Sequence, residues 1–232
     1  MMKSPQGIRL HIFDLDDTLI NTRESYHTAQ HYALADAFPE LDDGQIKLNI
    51  SLLRWLCQQF GSGSPTQYFD AFVNCCNFKV INKNASAKLL FESYHNFFYK
   101  KLKPLNGVSN YLDYLIAAGM RLALASNGFI GSQVKKLCVT GLESYFPSKS
   151  RYISESFPAE YKKPSPYMIS LACRDAGIDT SQSAFYGNAV NDIIAGNLAG
   201  VTTIAVGGLA KSEPAAHHIA QPNIRWCQLN GS

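Results

Sequence analysis

Long hydrophobic runs are missing from this chain of 232 residues. No apolar stretch approaches the roughly 20 residues that a membrane-spanning helix requires, and residues 1–10 lack the hydrophobic region of a signal peptide. We therefore expect no membrane association and a cytoplasmic location.

Strong net charge is missing as well. The formal charge of +3 is too mild to indicate a nucleic-acid partner, but it is compatible with small anionic substrates.

The six cysteines lack the spacing of a metal-binding knuckle or of a CxxC redox motif. Adjacent Cys75 and Cys76 are a poor disulfide pair, and a chain of this length needs no cross-links to hold a core. We expect all six thiols to be reduced. The composition, 46% hydrophobic and 17% charged, is that of a globular protein with a sizeable core.

From about residue 105 onward, short β-rich runs alternate with helical patterns. The predicted strands are 121–125, 151–153, 183–186 and 201–206, and the predicted helices are 108–118, 131–137, 166–176 and 192–199. This alternation predicts right-handed βαβ units and a parallel sheet covered by helices on both faces. The apolar run 8–13 is expected to be a strand of the same sheet.

Residues 22–104 break this alternation with helical patterns alone. The predicted elements are helices over 22–38 and 46–60, a loop at Gly61-Ser62-Gly63-Ser64-Pro65, and a third helix containing Phe91, Tyr94 and Phe98. We interpret residues 22–104 as an all-α cap domain inserted into a core of residues 1–21 and 105–232. It is expected to be a lid over the carboxyl edge of the sheet, where open α/β sheets bind their ligands.

The stretch Asp14-Leu15-Asp16-Asp17-Thr18-Leu19 directly follows the run 8–13. Side chains alternate across an extended strand, so Asp14 and Asp16 are expected to emerge on the same side. Two carboxylates this close repel each other when both are ionised, unless a cation lies between them. Mg²⁺ would hold Asp14 ionised while Asp16 keeps a proton. A nucleophile beside a general acid suits phosphoryl transfer to carboxylate and then to water. The hexapeptide alone does not exclude an acidic turn with Asp16 or Asp17 as a helix N-cap.

Three further groups of polar residues lie where predicted strands end or predicted helices begin. Ser126-Asn127-Gly128 closes strand 121–125, and a hydroxyl with adjacent backbone N–H groups can hold phosphate oxygens there. Lys163, before Pro164, would supply a fixed cation that stabilises a phosphoryl transition state. Asn188 and Asp192 follow strand 183–186, and Asp192 is the natural second anchor for a metal.

These four motifs, in this order, resemble those of the haloacid dehalogenase-like (HAD) superfamily, mostly Mg²⁺-dependent phosphatases with a Rossmann-like core. The resemblance spans residues 8 to about 206, with residues 22–104 in the place of that family's helical cap. It implies an α/β fold class: a Rossmann-like parallel sheet core in three layers, α/β/α, with an inserted all-α cap domain.

By this resemblance, Asp14 is the nucleophile that forms an aspartyl-phosphate, and also a ligand of Mg²⁺. Asp16 is the general acid toward the leaving oxygen and then the base for the attacking water, and its backbone carbonyl contacts the metal. Dehalogenases of the superfamily lack this second aspartate, so the presence of Asp16 favours phosphate chemistry.

The resemblance also implies how the phosphoryl group is held. Ser126 binds its oxygens, with Asn127 and Gly128 beside it as substrate-binding residues. Lys163 bridges Asp14 and the phosphate. The adjacent Lys162 is the alternative, but the family's lysine stands immediately before the proline, which favours Lys163.

The fourth motif departs from the family's pattern. In the family, this motif usually begins with Gly-Asp, and the aspartate is a metal ligand. In this chain Asn188 stands at the position of that aspartate. An amide oxygen coordinates Mg²⁺ without supplying negative charge. Asp192, four residues on, could strengthen the site directly or through a bound water. We therefore expect weakened metal affinity rather than loss of activity.

The sequence thus predicts a Mg²⁺-dependent phosphatase for a small phosphate monoester of the sugar phosphate, phosphoglycolate or nucleotide type. A phosphomutase would use the same Asp14 and Asp16. A non-catalytic binding protein is the other alternative, and Asn188 favours it. The expected partner is a small-molecule phosphate ester, while the oligomeric state is left open.

Overall fold

The computed structural model describes residues 7–60, 65–76, 78–80 and 82–207. Residues 61–64 of the predicted loop and residues 208–232 of the predicted core domain lie outside this range. Within it, none of the helices has the length and apolar character needed to cross a membrane.

Five parallel strands form one sheet in the described residues. They are β1 (Leu10–Phe13), β2 (Arg121–Ser126), β3 (Arg151–Ile153), β4 (Ser183–Gly187) and β5 (Thr202–Ala205), in the order β3-β2-β1-β4-β5. Leu10 of β1 lies opposite Arg121 on one side and Ser183 on the other. The strand order reverses at β1, and the carboxyl ends of strands beside such a switch point are where open sheets bind ligands.

Helices cover both faces of this sheet. On one face, Leu10, Ile12 and Phe185 pack in a buried cluster with residues of α7 (Tyr167–Ala176) and α8 (Val190–Ala199). On the other face, Tyr186 of β4 lies within hydrogen-bond distance of Tyr111 in α5 (Val108–Ala117). Burial on both faces is typical of parallel strands. The predicted parallel α/β/α core is therefore confirmed.

His11, on the second of these faces, is fully buried in β1. Its Nδ1 lies 2.8 Å from the hydroxyl of Tyr186, which lies 2.8 Å from the hydroxyl of Tyr111. Burial lowers the pKa of His11 from 6.5 to about 4. The imidazole is therefore neutral in the folded protein at neutral pH.

Acid is expected to destabilise the protein through His11. The unfolded chain protonates this imidazole below pH 6.5, whereas the folded protein resists protonation until about 4. The contribution of His11 to the free energy of unfolding is therefore complete above the pKa of the unfolded chain. It falls by roughly 2 kcal/mol between about pH 7 and about pH 5. Urea unfolding at both pH values would show this loss in the wild type and not in His11→Phe. An equal loss in both proteins would exclude His11 as its source.

Residues Thr22–Leu102 form a second compact unit, separate from the unit that contains residues up to Asn21 and from Lys103 onward. Its helices are α1 (Thr22–Ala37), α2 (Asp43–Phe60), α3 (Pro65–Cys75) and α4 (Lys83–Lys101). Tyr26 of α1 packs edge-on against Tyr94 of α4 at a ring-centroid distance of 5.8 Å. We call this unit the helical insert.

Two features of the helical insert differ from the prediction. Helix α3 was not predicted, although Tyr68, Phe69 and Phe72 are buried at helical spacing. Its first residue is Pro65, predicted as part of a loop, and proline suits the first position of a helix. Helix α2 begins before residue 46 because the side chains and backbone N–H groups of Asp42 and Gln45 cap it reciprocally, at 2.8 and 2.9 Å.

Candidate active site

Asp14 stands at the carboxyl end of β1 and is buried, with 6% of its surface exposed. Its backbone N–H donates to the carbonyl of Tyr186 at 2.9 Å, which fixes it to β4. Burial raises the pKa of Asp14 from 3.8 to about 6. Lys163 opposes this rise, while Asp192 and Asp16 add to it. Asp14 therefore depends on nearby positive charge to stay ionised.

Lys163 supplies that charge. Its Nζ lies 2.7 Å from Asp14 Oδ1 and 2.6 Å from Asp192 Oδ1, and its side chain is buried. Burial by itself lowers the pKa of Lys163, but attraction by Asp14 and Asp192 outweighs burial and raises the pKa above its ordinary value. The neighbouring Lys162, the alternative considered from the sequence, is exposed.

The side-chain amide of Asn127 holds the backbone of Lys163 in place. Asn127 Nδ2 donates to the carbonyl of Lys163 at 3.0 Å, and the N–H of Lys163 donates to Asn127 Oδ1 at 2.9 Å. Asn127 directly follows β2, so this pair of hydrogen bonds links the loop after β2 to the loop that carries the lysine. The structure thus gives the Asn127 side chain a partner that the sequence did not predict.

Ser126 and Gly128 flank Asn127. Ser126 is the last residue of β2, and its Oγ lies 2.8 Å from Gln133 Nε2. Gly128 has φ +150°, and a Cβ there would come within 3.1 Å of the Gln133 side chain, so the position requires glycine. The N–H of Gly128 donates to Ser154 Oγ at 3.0 Å.

Asp16 lies in the turn after β1 and has partners different from those of Asp14. Lys136 Nζ donates to Asp16 Oδ1 at 2.7 Å, and Gln133 Nε2 donates to Asp16 Oδ2 at 3.0 Å. Each of the two acidic side chains therefore contacts its own lysine, and the divalent metal that the sequence leads us to expect between them stays a prediction. Helix α1 begins only at Thr22, so neither Asp16 nor Asp17 is a helix N-cap.

The structure shows the protein contacts of Asp192, while its expected role as a metal anchor, directly or through a bound water, stays a prediction. Its Oδ2 accepts hydrogen bonds from the N–H groups of Asn188 and Ala189, at 3.1 and 3.0 Å, and its Oδ1 contacts Lys163. Both carboxylate oxygens are therefore engaged. Asp192 fixes the turn after β4 and orients Lys163.

Gly187 is needed for this arrangement, and Gly187→Ala is expected to disrupt it. A Cβ at position 187 would lie 2.3 Å from the Cβ of Asp192, and the buried side chain cannot retreat without leaving Lys163. We expect the free energy of unfolding to fall by roughly 2–3 kcal/mol. Gly131→Ala is the matched control, because a Cβ there meets nothing within 4 Å. Equal, small effects of both variants in urea unfolding would contradict this packing.

Oxygen atoms of the kind that a divalent cation prefers lie around Thr18. The hydroxyl of Thr18 lies 3.4 Å from Asp14 Oδ2 and 3.2 Å from Asn188 Oδ1, so a carboxylate oxygen and an amide oxygen lie near the same hydroxyl. The described residues contain no group of three or more His, Cys, Asp or Glu side chains suited to a metal. Mg²⁺ nevertheless needs few protein ligands, because it keeps several waters. Asp14 and Asn188 are the side chains that would hold it.

Asn188→Asp is expected to strengthen magnesium binding. The new carboxylate would add negative charge where the amide oxygen now contacts the Thr18 hydroxyl, and the Mg²⁺ concentration for half-maximal phosphate release should fall by about tenfold. Asn191→Asp, at an exposed position in the first turn of α8, adds the same charge without that placement and is the control. An unchanged magnesium titration for Asn188→Asp would show that residue 188 is not a ligand.

Three residues of this site were not singled out from the sequence: Thr18, Gln133 and Lys136. Thr18 lies within the acidic motif itself. Gln133 and Lys136 are three residues apart on α6 (Ile130–Val139) and buried, so they share a helix face that would otherwise be apolar. In the sequence, their helical spacing shortly after Ser126-Asn127-Gly128 is the signal that could have found Gln133 and Lys136.

The fold and the site together define an α/β protein with carboxylates and lysines at the carboxyl edge of a parallel sheet. The chain also matches the sequence profile of haloacid dehalogenase-like hydrolases over residues 11–206. Because this match covers most of the sequence, the chain belongs to that family. The resemblance inferred from the motifs and the prediction of a hydrolase are confirmed.

Individual relatives agree with this assignment. The chain is 25% identical to the glyceraldehyde 3-phosphate phosphatase of Pyrococcus abyssi, over 85% of this chain and 80% of that protein. A candidate beta-phosphoglucomutase from Thermotoga maritima has a similar structure, with a TM-score of 0.67 and 17% identity over 86% of each chain. The candidate HAD-hydrolase YfnB from Bacillus subtilis, described as bound to magnesium, has a TM-score of 0.60 and 19% identity, over 89% of this chain and 91% of that chain. At these identities the two structures show a shared fold.

Proposed function

We propose that this protein is a Mg²⁺-dependent phosphatase that hydrolyses a small phosphate monoester through an aspartyl-phosphate on Asp14. The contact of 2.7 Å between Lys163 Nζ and Asp14 Oδ1 carries this proposal. It places a buried ammonium group directly against a buried carboxylate at the edge of the sheet where ligands bind. The phosphatase name of the Pyrococcus abyssi relative supports the same class of reaction.

In the first half of the proposed reaction, a carboxylate oxygen of Asp14 attacks phosphorus. The bond between phosphorus and the ester oxygen breaks, and its electron pair goes to the leaving oxygen. Asp16 transfers a proton to that oxygen, so the product leaves as an alcohol. Lys163 and the hydroxyl of Ser126 stabilise the charge on the phosphoryl oxygens.

In the second half, Asp16 accepts a proton from water, and the resulting hydroxide attacks the phosphorus of the aspartyl-phosphate. The bond from phosphorus to Asp14 breaks, which restores the Asp14 carboxylate and releases inorganic phosphate. Asp16 ends the cycle with the proton that the next substrate requires. The same residue therefore acts first as acid and then as base.

The charges of the site favour a metal requirement. With Asp16 protonated for its role as acid, ionised Asp14 and Asp192 carry two negative charges and Lys136 and Lys163 carry two positive charges, so the side chains supply no net positive charge. A phosphate dianion that approaches the Asp14 carboxylate would therefore meet local repulsion. Bound Mg²⁺ would supply Lewis-acid stabilisation of the phosphoryl oxygens and give the site a net positive charge.

Phosphate release from a panel of sugar phosphates, phosphoglycolate and nucleotides, with and without Mg²⁺, tests this proposal. We expect release from at least one ester with Mg²⁺ and little without it. Formation of an isomer without net phosphate release would identify a phosphomutase instead. Binding of an ester without release under any divalent metal would identify a non-catalytic binding protein.

A further inference from the structure

The buried face of α6 carries two polar side chains that the proposed reaction does not yet use. Gln133 is 1% exposed and Lys136 is 9% exposed. A lysine is seldom buried without a partner, because removing its charge from water costs free energy that an ion pair must offset. Both side chains point from one helix into the candidate active site, which indicates a role there.

The first contact of this pair is with Asp16. Lys136 Nζ lies 2.7 Å from Oδ1 and Gln133 Nε2 lies 3.0 Å from Oδ2, so each carboxyl oxygen has its own donor. Asp16 lies in a turn rather than in a strand, and the backbone alone leaves its side chain several rotamers. Two donors on a rigid helix restrict the carboxyl group to one orientation.

The second contact is with Ser126. Gln133 Nε2 lies 2.8 Å from Ser126 Oγ and 3.2 Å from the carbonyl oxygen of Asn127. The carbonyl of Asn127 accepts only, which requires the amide nitrogen of Gln133 on this side. This nitrogen carries two hydrogens and faces three acceptors, so one hydrogen is shared between two of them. Because an amide nitrogen accepts no hydrogen bond, the hydroxyl hydrogen of Ser126 is not used by Gln133 and remains available to donate to a phosphoryl oxygen.

We propose that Gln133 and Lys136 are positioning residues that orient Asp16 for proton transfer and Ser126 for phosphate binding. This inference rests on the proposed phosphatase function. In this scheme neither residue contacts the substrate, and each acts through the side chains that do. Lys136 acts through Asp16, whereas Gln133 acts through both Asp16 and Ser126.

Lys136→Met tests the inference through its dependence on the leaving group. An alkyl ester such as glycerol 3-phosphate needs a proton from Asp16 as its alcohol leaves, whereas 4-nitrophenyl phosphate releases a stable anion. With Mg²⁺ present, we expect kcat/KM to fall by about 30-fold for the alkyl ester and by less than about threefold for the aryl ester. The ratio is measured on one protein sample, so a partly unfolded variant does not alter it.

Two variants complete this test. Lys135→Met, at the exposed neighbouring position, should leave both rates unchanged, and Lys136→Arg should restore part of the alkyl ester rate. Gln133→Met should lower both rates, with a higher KM, because Ser126 loses its orientation as well. Equal losses on both esters for Lys136→Met, or no loss, would overturn the role of Lys136 while leaving the phosphatase intact. A wild-type protein that hydrolyses neither ester in the presence of Mg²⁺, nor any ester of the wider panel, would instead remove the proposed function and this inference with it.

Discussion

Asp14→Asn is expected to abolish phosphate release, with a fall of at least about 10⁴-fold, as removal of a catalytic nucleophile does in other enzymes. An amide cannot attack phosphorus in place of a carboxylate. The fold should survive, because the Asn side-chain oxygen still accepts a hydrogen bond from Lys163 at the position of Oδ1. Steady-state phosphate release with Mg²⁺ measures the loss.

Asp17→Asn is the matched control for this variant. It makes the same chemical change in the same turn, and asparagine tolerates the left-handed backbone at position 17, where φ is +56°. We expect Asp17→Asn to retain activity of the wild-type order. Turnover by Asp14→Asn within tenfold of wild type would remove Asp14 as the nucleophile.

Lys163→Met is expected to have the second largest effect, a fall of about 10³-fold in kcat. Asp14 and Asp192 would lose the ammonium group that lies 2.7 and 2.6 Å from them, and the phosphoryl group would lose its fixed cation. The pKa of Asp14, already raised by burial to about 6, would rise further, so less of the nucleophile would be ionised.

The same variant should also destabilise the fold, by roughly 3 kcal/mol, because two buried carboxylates remain without their partner. Urea unfolding separates this effect from the catalytic one, provided that rates are measured where the variant is fully folded. Lys162→Met, at the exposed neighbouring position, is expected to change neither quantity. A folded Lys163→Met protein with the turnover of the control would contradict the assigned role of Lys163.

The positions of the strands were predictable from sequence because each β-rich run is short and bounded by turn residues. The strand predicted over 151–153 is β3 (Arg151–Ile153), and 121–125 is one residue short of β2 (Arg121–Ser126). Parallel strands end at one edge of a sheet, so Asp14, Ser126 and Asn188 could be assigned to that edge. Helix α3 was missed because an adjacent glycine- and serine-rich segment favoured a loop.

Which lysine contacts which carboxylate in the site was not predictable from the sequence. The sequence shows which residues are acidic or basic, but not which carboxylate a given lysine reaches. Lys136 contacts Asp16 only because α6 packs beside the turn after β1, and Asp192 contacts Lys163 only because Gly187 leaves room for it. These contacts depend on distances between elements far apart in the chain, and no local pattern encodes them.

Chemical trapping of the intermediate tests the central claim most directly. The protein is incubated with Mg²⁺ and an ester that it hydrolyses, and the reaction is quenched with sodium borohydride, which reduces an acyl phosphate to an alcohol. Peptide mass spectrometry should then find homoserine at position 14, and not in a sample without substrate. Active turnover with an unmodified Asp14, or with the reduction at another carboxylate, would contradict nucleophilic attack by Asp14.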